Sequence, residues 1–215
     1  MMSRVWCVVS VLALVMVTTG TASAQSHEGL SLGVFGGVSA VEHAGPVGGI
    51  ELASARSARV HVFGEAAWFG DVVTRRRVET VEAVAAHLAA RQGQAATGTI
   101  DAPATSFTVG ARFLLAESSA LRPYVAVQAG IARVTLQPTF ELGGTDVTEK
   151  LEQYGVTLGE DVTGSAVRPA FGGGLGVLLD RDAWTVDASV RVLRIQTSGQ
   201  ATTVTRLSVG IGRRF

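Results

Sequence analysis

The chain has 215 residues, 47% of them hydrophobic, with 18 basic and 18 acidic side chains and no formal net charge. That balance, with no basic run beyond Arg75-Arg76-Arg77, leaves no electrostatic footprint for a nucleic-acid partner. A single cysteine, Cys7, excludes a disulfide framework or a cysteine-based metal site, and the length suits one domain.

Residues 1–24 read as an export signal peptide. Arg4 gives a basic start, Val5 to Val17 an apolar stretch, and Ala22-Ser23-Ala24 a small-residue cleavage site before Gln25. Cys7 lies within the signal and not at the cleavage point, which argues against a lipoprotein anchor. The expected mature domain is 25–215. Mean hydropathy is +0.33, high for a soluble domain, yet no later stretch has the 18 apolar residues of a spanning helix. A closed β-barrel is the remaining way to set so much apolar surface against a membrane.

Alternation of apolar with small or polar residues predicts eight strands. They are Leu30–Val38, Val47–Ala55, Arg59–Phe69, Thr105–Leu115, Leu121–Val134, Ala166–Leu179, Trp184–Ile195 and Ala201–Phe215. In the clearest of them, Phe107, Val109, Ala111, Phe113 and Leu115 oppose Ser106, Thr108, Gly110 and Arg112. Between the strands, the connections Arg56–Ala58, Ala116–Ala120 and Asp180–Ala183 are short, and the two long ones, Gly70–Ala104 and Thr135–Ser165, fall on the opposite side. Short turns at one end and long external loops at the other are the habit of bacterial outer-membrane barrels. Within the first long loop, Val78, Val81, Val84, Ala85 and Leu88 recur at helical spacing and Gly93 supplies a stop, so a helical insertion is expected there. "DVTEKLEQYG" in the second loop suggests another short helix.

The inward parity carries Glu51, His61, Glu65, Arg112, Gln128, Asp187, Arg191 and Arg206, interleaved with glycines. Three acids and three arginines in a low-dielectric lumen are tolerable only as a mutually bonded network, so a structural polar plug is expected. The outward parity places Trp68, Phe107 and Phe171 towards the external end, and Trp184, Phe113 and Phe215 towards the periplasmic end, where aromatic girdles sit. Arg133 and Arg213 interrupt the apolar face close to strand ends, within snorkelling reach of an interface.

The chain resembles the small eight-stranded outer-membrane barrels of Gram-negative bacteria, the OmpA/OmpX-like or outer membrane protein β-barrel domain group. The resemblance is carried by "RPYVAVQAGIAR" at Arg122–Arg133, "RPAFGGGLGVLL" at Arg168–Leu179 and the alternating "LSVGIGRRF" ending at Phe215. It implies an all-β, antiparallel up-and-down transmembrane barrel; because the sequence ends at the barrel's own last strand, no peptidoglycan-binding domain is expected after it. It also implies that Val209, Ile211 and Phe215 form a signal read by the barrel-assembly machinery.

Chemistry is sparse. His61, Glu65 and Ser106 are the residue types of a base, an orienter and a nucleophile, but no motif joins the serine to the histidine. His43 and His87 stand singly in loops, too sparse for a metal site. "FGGGLG" lies inside an alternating strand with no following helix or lysine, so it is not a phosphate loop. We therefore expect no enzyme activity, cofactor or metal. The expected partners are outer-membrane lipid, the barrel-assembly machinery and a surface ligand or protein met by the long loops. Two further readings fit the same pattern: a small-solute or ion permeability protein with a gated lumen, and a secreted soluble β-barrel binding an apolar ligand.

Overall fold

The computed structural model describes residues 29–116, 120–159, 162–197 and 200–215. The expected export signal lies outside them. Eight strands form a ring: β1 (Leu30–Ala40), β2 (Ala44–Ala55), β3 (Val60–Phe69), β5 (Ala104–Leu114), β6 (Leu121–Leu142), β8 (Gly164–Arg181), β9 (Trp184–Thr197) and β10 (Gln200–Arg214). Every neighbouring pair is antiparallel, and the ring is sealed by β1 against β10 and by β6 against β8. All eight expected strands are present, with ends shifted by at most a few residues except at β6, which continues eight residues past its expected end.

Register fixes the geometry of the ring. A path straight across the sheet from Pro46 on β2 runs through Val38, Leu207, Val190, Leu175, Val125 and Phe113 to Val60 on β3. There the Arg56 N–H donates to the Val60 carbonyl at 2.8 Å, so the path re-enters β2 ten residues from where it began. A stagger of about 33 Å against eight strand spacings of about 4.8 Å tilts the strands by about 40°. Each residue then climbs about 2.5 Å along the axis, and each step across from β2 towards β1 drops about 3 Å.

The connections at the upper end carry structure that alternation did not signal. Residues 70–104 and 135–165 are not simple loops. β6 runs eight residues past Val134, and its upper half pairs with β4 (Ala96–Asp101) and with the two-residue β7 (Thr145–Asp146). The expected helix is α1 (Arg75–Gln92), ended by Gly93 at φ 64°, where a left-handed backbone suits glycine. Its Val81, Ala85 and Leu88 are buried, forming one apolar cluster with Val72, Phe140, Ile195 and Val204. Helical period and strand period thus meet over the barrel mouth. The Asp71 carboxylate accepts N–H groups from Val73 at 2.9 Å and Ala102 at 3.0 Å, tying the two ends of the α1–β4 insertion together. The second expected helix is a 3₁₀ segment, Thr148–Tyr154.

Candidate functional site

The lumen is organised in three tiers, and the middle one is polar. Glu65, 2% exposed, receives both Arg206 (2.7 and 2.8 Å) and Arg191 (2.7 Å). Arg191 also reaches Glu51 at 3.1 Å and Gln128 at 3.3 Å. Arg112 donates to Glu51 and lies 3.3 Å from Asp187. Seven of the eight expected lumen residues therefore touch one another across six strands. Three guanidinium groups meet three carboxylates, so the tier is electrically balanced.

Aromatic rings complete it, and these were not singled out from the sequence. The Tyr124 hydroxyl donates to Asp187 at 2.8 Å. Phe63 lies beneath both Arg112 and Arg191, each 4.9 Å from its centroid, and Phe35 beneath Arg206 at 4.4 Å. The faces of these rings attract the cations and fill the space that water would otherwise take. Close approach of this kind requires glycine opposite. A Cβ at Gly176 would lie 2.4 Å from Tyr124, and one at Gly174 2.7 Å from the Arg191 side chain. The void remaining beside the network is about 50 Å³, room for a few waters only.

Above this tier the lumen is mainly apolar, with the buried hydroxyl groups of Ser106 and Thr202 set among the apolar side chains. Ala67, Phe69, Ala132, Val134, Leu193, Ile195 and Val204 face inward, and α1 covers them. Below it lies a polar cavity of about 300 Å³ that opens at the short-turn end. His61 belongs to this cavity, which corrects its assignment to the ion network. It shares a face with Glu65 but sits four residues lower on a tilted strand, about 10 Å away along the axis, beside Arg122 and Asp180. Nor are His61, Glu65 and Ser106 assembled into a nucleophilic set. Glu65 is held by arginines, and His61 pairs in register with Arg112, six residues or about 20 Å along β5 from Ser106.

The outward face is apolar. Trp68, Phe107 and Phe171, between 44% and 56% exposed, lie within about 2 Å of one height on the tilt scale. Phe113, Trp184 and Phe215, equally outward, lie roughly 15–25 Å lower. Arg213 stands at this lower level, its guanidinium 6.0 Å from the Trp184 ring and 5.8 Å from that of Phe215. Val209 and Ile211 also point outward, on the strand that closes the ring.

No protein-family model matches the chain, and no curated protein sequence does. Solved structures do. Neisserial surface protein A is similar with a TM-score of 0.54 and 13% identity, covering 90% of this chain and 100% of that one. The N-terminal barrel domain of Pseudomonas aeruginosa OprF (TM-score 0.49, 15% identity, 89% and 100% covered) and Ail of Yersinia pestis (0.46, 15%, 87% and 97%) are also similar. At such identities the likeness is one of architecture. The chain folds as a small eight-stranded β-barrel of the bacterial outer-membrane type.

Proposed function

We propose that the chain is an integral outer-membrane protein with a structural or surface-interaction role, its lumen shut and its specificity carried by the α1–β4–β6 assembly at the upper end. The observation that supports this best is the inverted distribution of polarity. Val109, Val127, Leu175, Val190, Leu207 and Val209 are 46–64% exposed on the outside, while paired charges fill the inside. A soluble monomer does not present a continuous apolar belt of this extent to water; acyl chains accept it. This disfavours the secreted soluble reading. By the family resemblance, Val209, Ile211 and Phe215 serve the assembly machinery as an insertion signal.

The outer surface available to a partner is the polar side of α1, where Arg76, Glu79, Glu82, His87 and Arg91 are exposed, together with the protruding β4–β6 ribbon. Replacing residues 75–101 by a short turn should leave a detergent-stable, heat-shifted barrel and abolish surface binding. A phenotype unchanged by that exchange would leave the scaffold role alone. A gated-permeability role is disfavoured because the apolar tier and the ion-paired tier lie in series. In planar bilayers the reading predicts no steady conductance, and reproducible single-channel openings would restore the permeability alternative.

A further inference from the structure

The cavity beneath the ion network differs from that network in its charge count. Asp180 is the sole acidic residue among those lining it, whereas Arg112, Arg122 and Arg214 all line it. Arg112 is already met from above by Glu51 and Asp187. Arg122 and Arg214 share the one remaining carboxylate: Arg122 bonds Asp180 directly, Arg214 lies 3.9 Å from it, and Thr185 Oγ1 donates to it at 2.7 Å. Among the lining side chains, two guanidinium groups outside the network thus face one carboxylate, Arg214 being held further by the Asp182 carbonyl at 2.6 Å.

Its walls are also rich in donors. The Nε–H groups of Arg122 and Arg112 are buried and bond to no described group. Ser57 Oγ accepts the N–H groups of Arg59 and Val60 at 3.3 and 3.0 Å, which leaves its own proton to donate. His61 presents its imidazole to the same space. With about 30 Å³ per water, about 300 Å³ takes an oxyanion and several waters. The barrel's low-dielectric wall strengthens the attraction.

We propose that this vestibule is a binding site for a small oxyanion, held by Arg122 with Ser57 and His61 alongside. The test uses the chain from residue 25 onward, refolded in zwitterionic detergent and titrated with inorganic phosphate at constant ionic strength and pH 7. The His61 imidazole resonances report occupancy. A saturating shift is expected, with half-saturation on the order of 1 mM. Arg122→Gln should weaken binding at least tenfold. Asp180→Asn should tighten it at least threefold, because the competing carboxylate is gone; a merely structural Arg122–Asp180 pair predicts no such tightening. No saturating shift in the parent, or equal half-saturation in all three proteins, overturns the proposal. If Arg122→Gln yields no heat-shifted folded band, Asp180→Asn decides alone: tighter binding supports the site, and weaker or unchanged binding refutes it.

Discussion

Glu65→Gln is the sharpest perturbation of the interior. The carboxylate is buried and bonded by two arginines, and the amide that replaces it keeps the shape while removing the charge. Each arginine–carboxylate attraction, at about 4 Å between charge centres and an effective dielectric near 20, is worth about 4 kcal/mol. Two such attractions are lost, part of which is offset because the amide oxygen still accepts a hydrogen bond and Arg191 keeps Glu51. The network is left with one unbalanced positive charge, and a net destabilisation of about 3–5 kcal/mol is expected. Urea unfolding in phospholipid vesicles, followed by Trp68 and Trp184 fluorescence, measures it. The double variant Glu65→Gln/Arg206→Gln restores neutrality and should recover about 1–3 kcal/mol of the loss. A single-variant cost below about 1 kcal/mol, or no recovery in the double, would refute the claim that charge balance holds the lumen together.

Other outcomes follow from the same geometry. Gly176→Ala drives a methyl group into Tyr124 and should destabilise the barrel by about 1–3 kcal/mol, whereas Gly64→Ala, with nothing within 4 Å, should stay within about 0.5 kcal/mol. Asp71→Ala removes the carboxylate oxygen that accepts two N–H groups of the α1–β4 insertion. Limited proteolysis of residues 70–104 should accelerate while the ring's thermal midpoint is unchanged, and equal protection in parent and variant would contradict the tie. The Asp146 carboxyl is held below the usual aspartate range by hydrogen bonds from Thr148. Its contribution to the order of the 3₁₀ segment is therefore present above the ordinary aspartate pKa and fades as pH falls through the lowered value. An NMR titration of the Thr148 amide should show that midpoint, and Asp146→Asn should abolish it.

Much of this molecule is legible from period alone. Strands such as Trp184–Thr197 alternate cleanly because one face meets charges and the other an apolar surroundings, and the same parity assigned seven interacting lumen residues. Parity gives the face of a residue but not its height. His61 and Glu65 were inseparable by alternation and are separated only by tilt, which depends on register around the whole ring. Tyr124, Phe63 and Phe35 share the inward parity with the charges, yet an aromatic residue reads as lipid-facing until the guanidinium groups stacked on it are known. β4 gives no alternation signal because "ATGTID" is short and glycine-containing. Its partner segment on β6 holds Pro138, which marks a strand end until one sees it on the edge of a two-ribbon extension, opposite Ile100.

In the proposed function, the outward belt touches acyl chains between two aromatic levels. Beyond residue 24 the only tryptophans are Trp68 and Trp184, one at each level. Fluorescence quenching by lipids brominated at graded depths tests the claim directly, since each indole should lie about 10 Å from the bilayer centre. Both should emit at short wavelength, be quenched most by bromines close to the headgroups, and be shielded from aqueous iodide. Ready iodide quenching of both tryptophans, with no response to brominated lipid, would contradict the account.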